Sequence, residues 1–447
     1  MSDQSNTLNR TLSTGDLVIF GMIFIVPIAP FAWYGTYLET AQGMVALGYL
    51  IALVAMLFTG FSYAKMSREY PVSGSVYNYV QHATTSDLGF ISGWTILLDY
   101  FFCLTIFECV GTMFFQAIVP AAPTWLCMIV LAIGCLVVNL LGIKTSTKVS
   151  WGLFFLQIVL CVVFIVCSVL YISKGHAHFN TVAFVNPDGF SMHGVLRATM
   201  IVVVSYLGFD AISTLAEESS NPKKQIGKAT ILCIIVIGLL FVLLTWLDGC
   251  VYPNWHELTA DTASLDICRA IGGQPLVLFA SICLVLSFGI AGTMEAMTST
   301  SRILYSMGRD GIMPKWMAKL NKHKVPGNTL VVITIIATAL GIILGLGPVA
   351  NLASFGALFG FMALNLAVVW RFFIKDSEKT GGKFIKYVIS PIIGFIVCLM
   401  IFISMDKLTA IIGFSWMAGG FLWMAYKTHG FKEPAPTINM DDIVIDE

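Results

Sequence analysis

The sequence predicts an all-helical integral membrane protein of twelve spans, and three observations carry that reading. Hydrophobic residues make up 57% of the 447-residue chain and charged residues only 11%, about half the charged content of an ordinary soluble domain. Mean hydropathy is +0.85. Apolar runs long enough to cross a bilayer, about 20 residues each, recur from end to end. When those runs are threaded back and forth, the bases segregate: of 25 Lys and Arg residues, 21 fall on the side of the termini and 4 on the other.

The expected spans, in order, are 17–38, 43–65, 88–116, 122–142, 149–173, 195–216, 228–251, 273–302, 328–347, 349–370, 386–405 and 408–426. The first begins where the polar stretch through Asp16 ends, and no small-residue cleavage pattern follows it. Lys65 and Arg68 close the second span, Lys148 and Lys174 bracket the fifth, and Lys228 opens the seventh. Arg302 closes the eighth, and only Gly347-Pro348 separates the ninth from the tenth. The excess of bases on one side predicts that this side, with both termini, is cytoplasmic in the inner cell membrane. Only Lys174, Arg197, Arg269 and Lys407 face outward in this scheme. The outward segment 252–272, with Glu257, Asp261 and Asp266, reads as an acidic solvated loop.

The organisation that follows is a tail 1–16, a ten-helix core 17–374, two further helices within 375–427 and a tail 428–447. Two non-spanning segments stand out. Tyr70 to Val80, too polar to span, reads as a short interfacial helix after a turn, and 303–327 is similar, basic with Trp316 and two prolines. The eleven cysteines are scattered, mostly inside apolar runs, with no metal-ligand spacing; they read as small buried hydrophobes. No metal, nucleophile or phosphate motif points to an enzyme or a cofactor, nothing points to nucleic acid, and no tail is long enough for a signalling domain.

Two spans are interrupted. The first contains Ile25-Val26-Pro27-Ile28-Ala29-Pro30, and each proline removes a helical hydrogen bond and clashes with the preceding turn. The sixth contains Ser205-Tyr206-Leu207-Gly208-Phe209-Asp210. Each is the first of a set of five. Breaks at matching places in two halves point to a transport site built from inverted repeats, because backbone freed at membrane depth must line a cavity.

Four carboxylates lie inside the apolar spans: Asp99 and Glu108 in the third, Asp210 in the sixth and Glu295 in the eighth. Each costs roughly 2.5–3.5 kcal/mol to insert, and no base lies near mid-membrane to pair with them. An acid-lined interior suits protons or a cationic ligand. Asp99 and Glu108 are nine residues apart, which at ~100° per residue puts them on opposite faces of a straight helix. Trp94, Phe101 and Thr105 fall near the Glu108 face, and Phe102, Cys103 and Ile106 near the Asp99 face. In the first span two of the four residues Pro27, Ile28, Ala29 and Pro30 lack an N–H, and no glycine lies in the break. That favours an amine held by carbonyls and acids over a carboxylate held by amides. Trp33, Tyr34, Trp94, Tyr100, Tyr206 and Phe209 could box an ammonium by cation–π contact.

Three motifs carry a family resemblance. Pro71-Val72-Ser73-Gly74-Ser75-Val76-Tyr77-Asn78-Tyr79 resembles the P-x-x-G-[GS]-x-Y-x-Y signature of the amino acid–polyamine–organocation superfamily. Glu217 to Ile226, containing Asn221-Pro222-Lys223, is similar to the stretch that family carries after helix 6, although Gly227 stands where its proline usually follows. Ser301-Arg302 through Arg309-Asp310-Gly311 resembles the motif after helix 8. Gly93 to Tyr100 and Gly208 to Glu218 look most like bacterial putrescine importers, whereas Ala32 stands where that group has an acid.

The resemblance implies a LeuT-type 5+5 inverted repeat with helices 1 and 6 broken, helices 11 and 12 outside the repeat, and alternating access coupled to protons or exchange. It places Asp210 at a proton-sensitive gate. The expected substrate site comprises Pro27, Ile28, Ala29, Trp94, Asp99, Glu108, Tyr206, Gly208, Phe209 and Glu295, with Asp210 coupling protons. The expected partners are a small amine or amino acid, putrescine-like first, together with protons and the lipid bilayer. A neutral amino acid:proton symporter, or an exchanger of the same fold, is the alternative.

Overall fold

The computed structural model describes residues 10–73, 75–119, 121–186, 189–258, 263–376, 381–403, 405 and 407–435. The helices in chain order are α1 (Thr14–Ile25), α2 (Ala29–Leu38), α3 (Val45–Glu69), α4 (Ser75–Ala83), α5 (Ser86–Ile118), α6 (Thr124–Leu140), α7 (Ile143–Ser173) and α8 (Met192–Val204). After a 3-10 segment, Asp210–Glu218, come α9 (Pro222–Val251), α10 (Ala263–Leu284), a π-helical stretch Val285–Gly292, α11 (Thr293–Arg309), α12 (Gly327–Leu344) and α13 (Leu346–Val368). The short α14 (Gly381–Phe384) leads into α15 (Ser390–Ile403), and α16 (Lys407–Lys427) follows.

Among the described residues, ten helices are long and apolar enough to cross a membrane. The 17-residue apolar α6 and the broken sixth span stand beside them at two further expected positions. The first span is α1 plus α2; the sixth is α8 plus the 3-10 segment.

The two broken spans run in opposite directions. Thr11 and Leu12 amides donate to the Glu218 carbonyl at 2.9 and 3.0 Å, so α1 begins where the 3-10 segment ends. At the other extreme, Gly194 near the start of α8 abuts the Thr40 carbonyl just beyond α2. These define a near end, which holds the start of α1, and a far end. The antiparallel halves meet in the middle, as an inverted repeat requires.

Small residues set the packing around them. A Cβ on Gly60 would lie 2.5 Å from Ile234, one on Gly227 2.8 Å from Ala64, and one on Gly238 2.3 Å from Leu53. α3 and α9 therefore run antiparallel at close approach. Likewise Gly356 of α13 lies against the α5 backbone at Thr95 and Asp99. Packing of this kind holds helices together where lipid supplies no hydrophobic drive.

Four expectations are corrected. Segment 252–272 is not simply a loop, because α10 starts at Ala263 and bends at Gly273, whose φ is +67°, just before Pro275. The eighth span does not end at Arg302: α11 continues to Arg309 because Ile303, Leu304 and Met307 are buried and Arg302 has an acidic partner. The ninth and tenth spans are divided at Gly345, with φ +70°, and Pro348 lies in the first turn of α13, where a proline is tolerated. Finally, α4 is helical as expected but buried rather than surface-lying: Gln81 and Tyr77 pack directly on Gly89 and Gly93 of α5.

Candidate functional site

The break in the first span is sharp. Val26 takes φ +62°, an outlier for a β-branched residue. The Ala29 amide donates back to the Val26 carbonyl at 2.8 Å and the Phe31 amide to the Ile28 carbonyl at 3.1 Å. With Pro30 in the first turn of α2, this half-helix presents few free amides. Pro27 and Ile28 lie in the break itself, and the Pro27 carbonyl faces the Cys161 thiol at 4.0 Å.

The break in the sixth span needs its glycine. Gly208 has φ +117°, and a Cβ there would sit 2.2 Å from the Phe24 ring. Phe209 packs edge-on against Tyr63 at 5.7 Å and tilted against Phe361 at 5.3 Å. The Tyr206 hydroxyl donates to the Tyr49 carbonyl at 2.9 Å.

Between the breaks lies a cavity of about 20 Å³ lined mainly by Phe24, Ile25, Ala29, Trp33, Ile106, Phe107, Ser205 and Phe288. That is room for about one water molecule. Its walls are apolar and aromatic apart from the Ser205 hydroxyl and the Cys103 thiol. A much larger groove of about 710 Å³ lies between α5, α6 and the π-helical stretch. Its rim residues Leu126 and Val130 are exposed on the outside of the bundle, so it is not part of the central path.

One step toward the near end the chemistry changes. Asp99 and Asp210 are both buried, and each carboxylate lies within reach of the other's charge. Tyr100 donates its hydroxyl to Asp210. The Gly208 amide reaches Asp210 Oδ1 at 3.3 Å, and the Cys103 thiol donates to Asp99 Oδ1 at 3.0 Å. Among the described residues no Lys or Arg pairs with either acid. Cys103 both lines the cavity and bonds Asp99, which links the acid pair to the central space.

The other expected residues lie elsewhere. Glu108 turns to the opposite face of α5, where Thr338 of α12 donates to it at 3.2 Å; its neighbour Thr105 donates to the Ala337 carbonyl at 3.3 Å. Glu295 is buried in the first turn of α11. Trp94 stacks on Trp416 of α16 at 4.8 Å, and the two indoles each donate to the other's carbonyl. Of the expected substrate residues, Ala29 lines the central cavity, and Asp99 sits beside Asp210.

Sequence reading missed two features. The first is an ion network at the near end, where the three motifs converge. Arg302 Nε donates to Glu218 at 2.5 Å, and both side chains are 1% exposed. Arg309 holds Glu217 at 2.9 Å, and Glu217 accepts from the Ser73 amide at 3.1 Å. Tyr77 donates to Asp310. Burial pushes the Asp310 carboxyl above its usual range, and the Tyr77 bond and the Arg309 charge oppose that push. Part of the signal was in the motifs themselves, since the second and third carry the acids and bases of the network. The second is a further buried acid, Asp248 of α9. Among the described residues, no cluster of three or more His, Cys, Asp or Glu could hold a metal.

Comparison with known proteins places this geometry. The amino acid permease family model matches residues 16–427. The low-affinity putrescine importer PlaP of Escherichia coli is 29% identical over 437 residues, covering 96% of each chain. The methylthioribose transporter of Bacillus subtilis is 26% identical, covering 94% of this chain and 93% of that protein. The branched-chain amino acid permease BcaP of the same organism is 27% identical, covering 93% and 92%. Among solved structures, MhsT in complex with L-phenylalanine superposes with a TM-score of 0.65 at 15% identity, covering 88% of this chain and all of that one. That likeness bears on the fold.

Proposed function

The chain belongs to the amino acid permease family of membrane transporters, and from this premise we propose that it moves a small cationic amine or amino acid, with a putrescine-like diamine first, across the cell membrane by proton-coupled alternating access. One observation carries the reading: Asp99 and Asp210 are both buried, they are held by a thiol, a tyrosine hydroxyl and a backbone amide, and among the described residues no base pairs with them. Two carboxylates so placed resist joint ionisation. An arriving ammonium, or a proton, relieves that repulsion. The scarcity of free amides at the start of α2 supports the same reading, since it offers little to a carboxylate. Asp210 couples the proton, with Tyr100 as its hydrogen-bond partner.

A second reading, a neutral amino acid:proton symporter, is favoured by the apolar walls of the central cavity. There the acids would serve protons alone. Uptake of labelled putrescine, lysine and leucine by the purified protein in liposomes separates the two. The first reading expects putrescine or lysine to accumulate under an inward proton gradient and leucine to compete poorly. It also expects Asp210→Asn to lose gradient-driven accumulation. Leucine competing as well as putrescine would favour the second reading, and unchanged accumulation by Asp210→Asn would remove that residue from coupling.

The near end, which carries the termini, is assigned to the cytoplasm on the 21-to-4 division of bases. Within the fold, residues 17–374 form the transport core and the two spanning helices within 375–427, α15 and α16, flank it. A cysteine introduced at Asn254 should react with an impermeant thiol reagent in intact cells, and one at Lys319 should not; the opposite pattern reverses the assignment.

A further inference from the structure

Asp248 lies seven residues beyond Phe241 on α9, so the two share a face about 10.5 Å apart along the helix. Phe241 packs on the Tyr49 ring at 5.3 Å, which fixes that face against α3. The next residue, Gly249, lies close against Ala183, and the Leu47 amide donates to the Ala183 carbonyl at 3.1 Å. Asp248 therefore sits beside the first turn of α3, at the far end. It is 4% exposed, and its Oδ1 is buried with no hydrogen-bond partner. Among the described residues no base pairs with it.

Its surroundings are aromatic. The buried Tyr34 of α2 and Tyr49 of α3 both lie within reach of its charge, as does Cys268 of α10. Tyr37, one turn along α2 from Tyr34, packs on Tyr49 at 6.2 Å. The Ser205 hydroxyl lies 3.1 Å from that of Tyr49 and 3.4 Å from that of Tyr37, and Ser205 lines the central cavity. The hydroxyls of Tyr37, Tyr49 and Ser205 thus lead from the far end, where Asp248 sits, to the central cavity.

We propose that Asp248, with the ring faces of Tyr34 and Tyr49, is a second ammonium-binding station, which holds a primary amine on the far side of the central cavity. A buried anion demands donors, and an alkylammonium supplies three. The electron-rich faces of tyrosine rings stabilise the same cation. The station deepens the cationic-amine reading of the transport path and rests on it. It divides the path into an acid pair toward the near end and a single acid toward the far end, with the apolar cavity between them.

The test combines transport with direct binding. Asp248→Asn is expected to raise the apparent KM for putrescine about tenfold or more, the loss of a charge-assisted hydrogen bond, without changing the inhibition constant of leucine. Tyr34→Leu should raise it about threefold and Tyr34→Phe should not, since phenylalanine keeps the ring face. The Tyr34 pair decides the matter should Asp248→Asn fail to fold. In a second measurement, equilibrium binding of labelled ethylammonium to the full-length Asp99→Asn/Asp210→Asn variant should persist, and should vanish when Asp248→Asn is added. Unchanged putrescine constants in Asp248→Asn and Tyr34→Leu would overturn the station. So would an Asp248→Asn variant that only shifts the pH profile, equally for putrescine and leucine. Should wild-type liposomes take up leucine and no amine, the transport reading fails on its own, while ethylammonium binding still decides whether the station exists.

Discussion

The near end and the middle of this molecule bury carboxylates in opposite ways. At the near end Glu218 is as inaccessible as Arg302, and the two face each other at 2.5 Å; Arg309 and Glu217 repeat the arrangement closer to the surface. In the middle, Asp99 and Asp210 are both buried and draw on a thiol, a tyrosine hydroxyl and a backbone amide. The chain supplies its own countercharge at the near end and, among the described residues, none to the two acids in the middle, the place where the proposed function needs a cation or proton to bind. The ion pairs join α11 to the 3-10 half of the sixth span and, through Ser73, to the turn before α4. They bridge elements that must separate if the near end opens.

The largest expected effect lies in the paired region. Arg302→Met leaves Glu218 charged and alone in the interior, and breaking a buried pair from one side costs about 3–5 kcal/mol. Thermal unfolding in detergent should register that loss, and Arg302→Met/Glu218→Met should recover most of it. A cost near the ~0–1 kcal/mol of an exposed pair would mean that the near end is wetter than its burial indicates, and the contrast would collapse.

In the middle region the effect should be smaller and appear in binding instead of stability. Asp99→Asn keeps the side chain's shape and removes its charge beside Asp210. On the proposed amine reading, apparent affinity for putrescine should fall by about 1.5–3 kcal/mol, the worth of a hydrogen bond to a charged group, with little change in melting temperature. If the melting temperature falls instead and the affinity holds, Asp99 belongs with the structural acids and the two regions are alike.

How much of this was legible in the sequence follows from what each signal depends on. The broken spans were, because proline at Pro27 and Pro30 and glycine at Gly208 act locally. The separation of Asp99 from Glu108 was, because helix geometry alone dictates it. The strain at Val26 was not: nothing in a Val-Pro pair says that the β-branched residue takes the positive φ, which the packing around the break imposes. The partners of Glu217, Glu218, Arg302 and Arg309 were not either, since spacing places motifs in order along the chain but does not pair them across it. Arg302 read as a base at a span's edge; burial by its neighbours makes it an interior charge. Asp248 stood three residues from the expected end of its span, where an acid ordinarily meets water, and its burial comes from elements packed beside it across the fold.

The smallest expected effect is at Glu108, and it sharpens the contrast within a single helix. Glu108 shares α5 with Asp99, yet it faces α12, where the Thr338 hydroxyl donates to Oε1 and Oε2 has no partner. Glu108→Gln keeps the acceptor that Thr338 uses and replaces the other oxygen with an amide. The change in amine affinity should stay below about 0.5 kcal/mol and the change in stability near 1 kcal/mol, the scale of one neutral hydrogen bond. Competition assays with putrescine, cadaverine, lysine and leucine, run beside Asp99→Asn, measure both residues under the same conditions. A loss of amine affinity at Glu108 equal to that at Asp99 would require the ligand to contact two faces of α5 separated by nine residues. Either the helix would have to distort between them, or transport would have to pass on both sides of it.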